Sequence, residues 1–183
     1  MTIDLEKISQ VLARSKRLFK GLRFDIYGLE VQGRSGERLK RELIAHPGAV
    51  TILPILNDGR IIMIRNERFA VGKALLELPA GTLEEGEPPE ETGKRELIEE
   101  AGYQAGKMEH LTEFLTSPGI CNEVMYSFVA TELDHVGQKL EDGEKISVET
   151  YTIEEIKEMI QNRQICDAKT LVVLMYYFQT RGL

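Results

Sequence analysis

An acidic helix set immediately after a Leu-Pro-Ala-Gly turn constrains this chain more than any other feature. Leu76-Glu77-Leu78-Pro79-Ala80-Gly81 leads through Glu87 to Arg95-Glu96-Leu97-Ile98-Glu99-Glu100-Ala101-Gly102-Tyr103. Pro88 and Pro89 suit a first helical turn, where the missing N–H is no loss, and Gly102 suits the C-terminal stop. A helix is therefore expected from about Pro88 to Ala101. Glu96, Glu99 and Glu100 fall at three- and four-residue spacings on one face, where like charges are destabilising unless a cation neutralises them. Arg95 cannot balance all three. A Glu-rich helix is ordinarily a solvated face. Here the extended turn before it turns the same residues into carboxylates converging at a helix–loop junction, the hard oxygen ligands that Mg²⁺ or Mn²⁺ prefer.

The rest of the chain sets limits on what surrounds that element. Its 183 residues fit one domain, or one domain with a short appendage. A formal charge of -7 and pI near 5.2 argue against a broad nucleic-acid surface, yet not against a phosphorylated substrate bridged by metal. Cys121 and Cys166 make no disulfide framework in a chain this long. Met1 to Gln10 lacks the apolar run of a signal peptide, and the most apolar tract, Leu171 to Phe178, is too short to span a bilayer. A cytoplasmic protein without membrane or nucleic-acid partners is expected.

Period-two alternation from Phe24 to Val31, the turn residues Gly33-Arg34-Ser35-Gly36 and a returning run from Leu39 to Ala45 predict an antiparallel strand appendage over residues 1–45, which includes a basic tract from Ser15 to Arg23 ahead of the first strand. The main domain would occupy residues 46–183. Within it, Ala49 to Leu56 and Arg60 to Ile64 flank Asn57-Asp58-Gly59 and predict a hairpin. Leu75 to Leu78 is a short run stopped by Pro79. Met125 to Thr131 and Ile146 to Tyr151 read as strands, and Ile153 to Gln161 and Ala168 to Phe178 as helices. Strands and helices mix without a βαβ rhythm, which makes the fold class α+β.

Gly81, Glu87, Arg95, Glu96, Leu97, Glu99, Glu100 and Gly102, with Tyr103 in the final apolar place, meet the pattern of the Nudix box, and the chain resembles the Nudix hydrolases. With residue frequencies of roughly 7%, chance agreement is on the order of one in 10⁸ windows. The resemblance implies an α/β/α sandwich on a mixed sheet. It also implies Mg²⁺, with Mn²⁺ as the alternative, held by Glu96, Glu99, Glu100 and the Ala80 carbonyl, while Glu87 and Arg95 orient and balance those carboxylates. Gly93 departs from the family's commoner Ala, and close packing is the expected reason.

The flanks narrow the resemblance. Leu76 to Gly81, the segment Arg65 to Gly72, and Pro118 within Ser117-Pro118-Gly119 are similar to the ADP-ribose pyrophosphatase subfamily. By position, Arg68 matches a phosphate contact and Glu123 a ribose contact, while Phe24 and Tyr27 are candidates for stacking on the base. The general base in that subfamily comes from a mobile acidic loop, here Glu141-Asp142-Gly143-Glu144, with Glu144 the first choice and Glu141 the second. The subfamily also implies a homodimer in which the N-terminal segment crosses to the partner. The expected reaction is metal-dependent hydrolysis of ADP-ribose to AMP and ribose 5-phosphate, or of a related nucleoside diphosphate sugar such as GDP-mannose or UDP-glucose. A non-catalytic ADP-ribose sensor is disfavoured, because such modules tend to lose box carboxylates that this chain keeps.

Overall fold

The alternation at Phe24 to Val31 and the run at Leu39 to Ala45 do form an antiparallel pair. In the computed structural model, which describes residues 3–22 and 24–183, β2 (Asp25–Gln32) pairs with β3 (Arg38–Ala45) in continuous register from Asp25↔Ala45 to Gln32↔Arg38. Met1, Thr2 and Arg23, which end two of the tracts read from sequence, lie outside the described residues. Two further elements were not anticipated. Helix α1 (Leu5–Ala13) is capped by Asp4, whose side chain accepts the Lys7 N–H, and β1 (Lys16–Lys20) adds a third strand alongside β2. Residues 1–48 and 113–124 make up this first compact unit.

The second unit comprises residues 49–112 and 125–183. A four-stranded mixed sheet has the order β7 (Ala80–Thr82), β4 (Ala49–Pro54), β9 (Val124–His135) and β8 (Tyr103–Leu115). Strands β4 and β9 run parallel, β4 and β7 antiparallel. A second, antiparallel sheet has the order β10 (Ile146–Tyr151), β5 (Ile61–Arg68), β6 (Lys73–Glu77). The helices are α2 (Pro89–Glu96), α3 (Ile153–Gln161) and α4 (Ala168–Arg181), and a π-helical turn, Leu97–Ala101, continues α2. This is the α+β class the sequence predicts.

The hairpin expected across Asn57-Asp58-Gly59 needs correcting. The turn exists: Gly59 has φ +85°, and the Leu56 N–H reaches the Arg60 carbonyl at 2.8 Å. The runs on either side, however, share one bridge, Ile55↔Ile61, and then join different sheets. All six residues of β4 are buried, and the first four of β5 are as well. Each run is apolar on both faces, so each gains more by entering the middle of its own sheet than by pairing with the other along an edge. Val50, Ile52, Ile62, Ile64, Leu97, Phe128 and Ile146 form the core between them.

Gly93 also differs from expectation. It is buried in α2, but a Cβ built there would stand 3.7 Å from Ile52, Met108 and Phe128, which is ordinary contact distance. Close packing does not require the glycine. Because a mid-helix Gly loses about 0.5–1 kcal/mol relative to Ala, Gly93→Ala is expected to stabilise the protein by about that amount in urea unfolding. A destabilised variant would show that the site is tighter than the structure indicates.

Candidate active site

The acids of the box stand where helical geometry changes. Helix α2 ends at Glu96, and Glu99 and Glu100 lie on the π-helical turn, closed by Gly102 in the left-handed conformation at φ +77°. Such single wide turns are rare and cluster at functional sites, since they re-aim side chains that α-helical spacing would otherwise fix. The turn packs on β5 and β10, with Leu97 and Ala101 in the core, so the opposite side carries the carboxylates.

Arg95 organises part of the cluster. Its Nη1 donates to Glu96 Oε1 and Glu99 Oε2, each at 2.8 Å, and its Nε donates to Glu87 Oε1 at 3.2 Å. Glu87 also accepts from Thr92 Oγ1 at 2.8 Å. Hydrogen bonding from Arg95 is the main cause that holds the Glu87 carboxyl below its ordinary range. Glu87 and Arg95 therefore sit where an orienting role needs them. Among the described residues, no three Asp, Glu, His or Cys side chains converge on one point, because Arg95 draws Glu96 and Glu99 towards itself.

Glu100 is different. It is 4% exposed, accepts the Ala80 N–H at 2.8 Å, and makes no salt bridge among the described residues. Burial pushes its carboxyl up to about 8, and pushes Glu96 up to about 7. The charge of Glu144 raises both further, so the loop carrying Glu144 lies within electrostatic reach of the pair. A buried carboxylate without a salt bridge, beside a second acid shared with Arg95, offers hard oxygen donors that fit a divalent ion. Ala80 meets this group through its N–H, which the sequence reading of a carbonyl ligand did not include. Gly81 leaves room beside it for the Glu96 carboxylate, which a Cβ there would push aside.

The loop is anchored to the same turn. Val136 N–H reaches the Gly102 carbonyl at 2.8 Å, Lys139 N–H the Glu99 carbonyl at 3.1 Å, and Gln138 Nε2 the Glu100 carbonyl at 2.7 Å. Further along, the Glu141 N–H donates to Glu144 Oε2 at 2.9 Å, and the Glu144 charge acts on Glu96 and Glu100.

Arg68, at the end of β5, forms a two-pronged bond to Glu77, Nε to Oε1 at 2.9 Å and Nη2 to Oε2 at 2.7 Å. Glu77 was not singled out from the sequence. Within the other unit, Phe24 and Tyr27 line an open groove of about 460 Å³ together with Lys20, Asp25 and His46. Glu123 accepts from Thr116 Oγ1 at 2.6 Å and has Oε1 3.5 Å from His46 Nδ1. Asn122 clamps His46 from both sides, accepting its N–H at 2.8 Å and donating to its carbonyl at 3.2 Å. His46 and Asn122 thus join the candidates on Glu123, and no motif pointed to His46.

The raised carboxyls of Glu96 and Glu100 have a signed consequence. Unfolded, both lose their protons near pH 4.5; folded, they hold them to about 7 and 8. The stability this confers is complete below about pH 4.5 and is lost as pH rises through the folded values. Melting of the metal-free protein should therefore fall between pH 5 and 8, and added Mg²⁺ should raise it most at the upper end. A melting temperature that climbs across this range without metal would contradict the burial of the pair.

A NUDIX domain matches residues 45–171. The ADP-ribose pyrophosphatase of Bacillus subtilis (strain 168) is 36% identical over 174 residues, which is 94% of each chain. The GDP-mannose pyrophosphatase of Yersinia enterocolitica serotype O:8 / biotype 1B is 29% identical over 194 residues, covering 100% of this chain and 99% of that one. A crystal structure of an ADP compounds hydrolase superposes with a TM-score of 0.81 over 92% of this chain and 93% of its own, at 20% identity, and so attests the fold. With the box geometry in place and the domain matched over most of its length, the chain belongs to the NUDIX family.

Proposed function

We propose that this NUDIX protein hydrolyses the pyrophosphate bond of ADP-ribose, giving AMP and ribose 5-phosphate, or that of a closely related nucleoside diphosphate sugar. The observation that carries the reading is Glu100, buried without a counter-cation beside Glu96 and within reach of both the Glu144 charge and Arg68. The similarity to an ADP-ribose pyrophosphatase over 94% of both chains supports the choice of substrate.

In this reading Glu96, Glu99, Glu100 and Ala80 hold the metal, Mg²⁺ first and Mn²⁺ second. A divalent ion bound there supplies charge neutralisation on the diphosphate and a more acidic water. Glu87 and Arg95 keep the carboxylates oriented. Arg68 binds a phosphate oxygen through its planar fork. Glu144 takes the proton as water attacks phosphorus and the bridging P–O bond breaks, with Glu141 as the alternative base. Glu123 is assigned to ribose hydroxyls, and Phe24 and Tyr27 to stacking on the base.

We further propose a homodimer in a cytoplasmic setting, with an N-terminal appendage, residues 1–45, and a catalytic domain, residues 46–183. Leu18 and Phe19 on β1 and Phe24 beyond it are 55%, 58% and 48% exposed, which supports a covering partner. Two free cysteines suit a reducing compartment. Sedimentation showing a monomer would remove the dimer.

The GDP-mannose relative favours a second reading in which another sugar nucleotide is preferred. A panel of ADP-ribose, GDP-mannose, UDP-glucose and NADH, with Mg²⁺ and with Mn²⁺, separates the two. Selective cleavage of ADP-ribose, lost in Glu100→Gln, is expected; tight binding without cleavage would indicate a sensor instead. Glu144→Gln should lower turnover by about 10²–10⁴-fold with metal affinity nearly intact, and unchanged turnover would take Glu144 out of the mechanism.

A further inference from the structure

Glu77 is completely buried, and a buried carboxylate costs several kcal/mol unless it is paired and hydrogen-bonded. Two cations meet it: Arg68 by its two-pronged bond, and Lys169 at the start of α4. Lys169 also lies 3.0 Å from Asp167, which caps α4 by accepting the Thr170 N–H at 3.0 Å and its hydroxyl at 2.7 Å. Thr170 Oγ1 in turn accepts the Leu78 N–H at 2.9 Å. Two acids and two bases thus form a neutral, connected network between β6 and α4.

Stability does not explain such a network well. Well-packed apolar side chains of similar volume hold a core as well as a buried ion pair or better. What the network does is orient Arg68. Its Nε and Nη2 are fixed on Glu77, while Nη1 engages no acceptor among the described residues. The Arg68 side chain is 40% exposed against 0% for Glu77, so one edge of the guanidinium is buried and the other is open. The negative charge of Glu100 acts on that same guanidinium, which puts Arg68 within electrostatic reach of Glu100.

We propose that Glu77 and Lys169 are positioning residues: Glu77 fixes the Arg68 guanidinium so that its free Nη1 edge meets a phosphate oxygen of the substrate, and Lys169 fixes Glu77. This rests on the assignment of Arg68 to the diphosphate. A guanidinium held before substrate arrives loses little further freedom on binding, and its donors point one way only. The helix α4 start, far along the chain from the box, thereby becomes part of substrate recognition.

Steady-state kinetics on ADP-ribose with a double-mutant cycle tests this. Arg68→Ala should lower kcat/KM by about 100-fold, and Glu77→Gln and Lys169→Met by about tenfold or more each, at unchanged Mg²⁺ affinity. In the Arg68→Ala background, Glu77→Gln and Lys169→Met should cost less than about twofold further, because they act through Arg68. Guanidinium added to Arg68→Ala should restore part of the activity, and should fail to do so in Arg68→Ala/Glu77→Gln. Losses that simply multiply, or rescue that ignores Glu77, would show a structural role and overturn the inference while leaving Arg68 in place. An unchanged Arg68→Ala would remove the assignment of Arg68 and the inference with it. Lys169→Met gives the same comparison if Glu77→Gln does not fold.

Discussion

Glu100 is buried without a salt bridge among the described residues, and Glu96, itself half-buried, shares Arg95 with Glu99 and Glu87. Keeping two acids there lowers the stability of the folded chain at neutral pH, and the surrounding architecture makes sense as what holds them in place. The π-helical turn aims Glu99 and Glu100 while Leu97 and Ala101 anchor its reverse side. Strand β7 is registered against β4 by Thr51↔Ala80 and Val50↔Gly81, so the Ala80 N–H and the side-chain-free Gly81 stand at the carboxylates. The loop from Val136 is bonded to the turn's final carbonyls.

The site is accordingly held by packed elements and adjustable at one loop. Strand β4, buried throughout and flanked by β7 and β9, fixes the floor. Arg95 fixes Glu87, Glu96 and Glu99 as a group. Glu144 is held by the backbone of its own loop through the Glu141 N–H, a contact a loop can release and remake at little cost. In the proposed mechanism, a proton acceptor on a loop and ligands on a packed turn would let substrate enter before the base is set.

Much of this was legible in the residues. Glu96, Glu99 and Glu100 announced themselves by spacing, Gly102 as the stop, and α3 as the helical run Ile153 to Gln161. The π-helical turn was not legible, because α and π geometries present the same letters to a three- and four-residue count. Strand β1 was hidden by its lysines and arginine, and all five of its residues are exposed. The β4–β5 hairpin was overread because a good local turn says nothing about which sheet each run enters. Glu77, between Leu76 and Leu78, alternates as a solvent-facing strand residue would; burial of both faces of β6 at that end, and the arrival of Lys169 from 92 residues away, are tertiary facts.

In the proposed site, burial keeps Glu96 and Glu100 partly protonated until a divalent ion would take the protons' place. Calorimetric titration of the metal-free protein with Mg²⁺ at pH 7, in two buffers of different ionisation enthalpy, measures it directly. The raised values of about 7 and 8 predict release of about one proton or more per chain on binding. Binding with no proton release would mean that both carboxylates are already ionised and solvated, and the account of the site would fail.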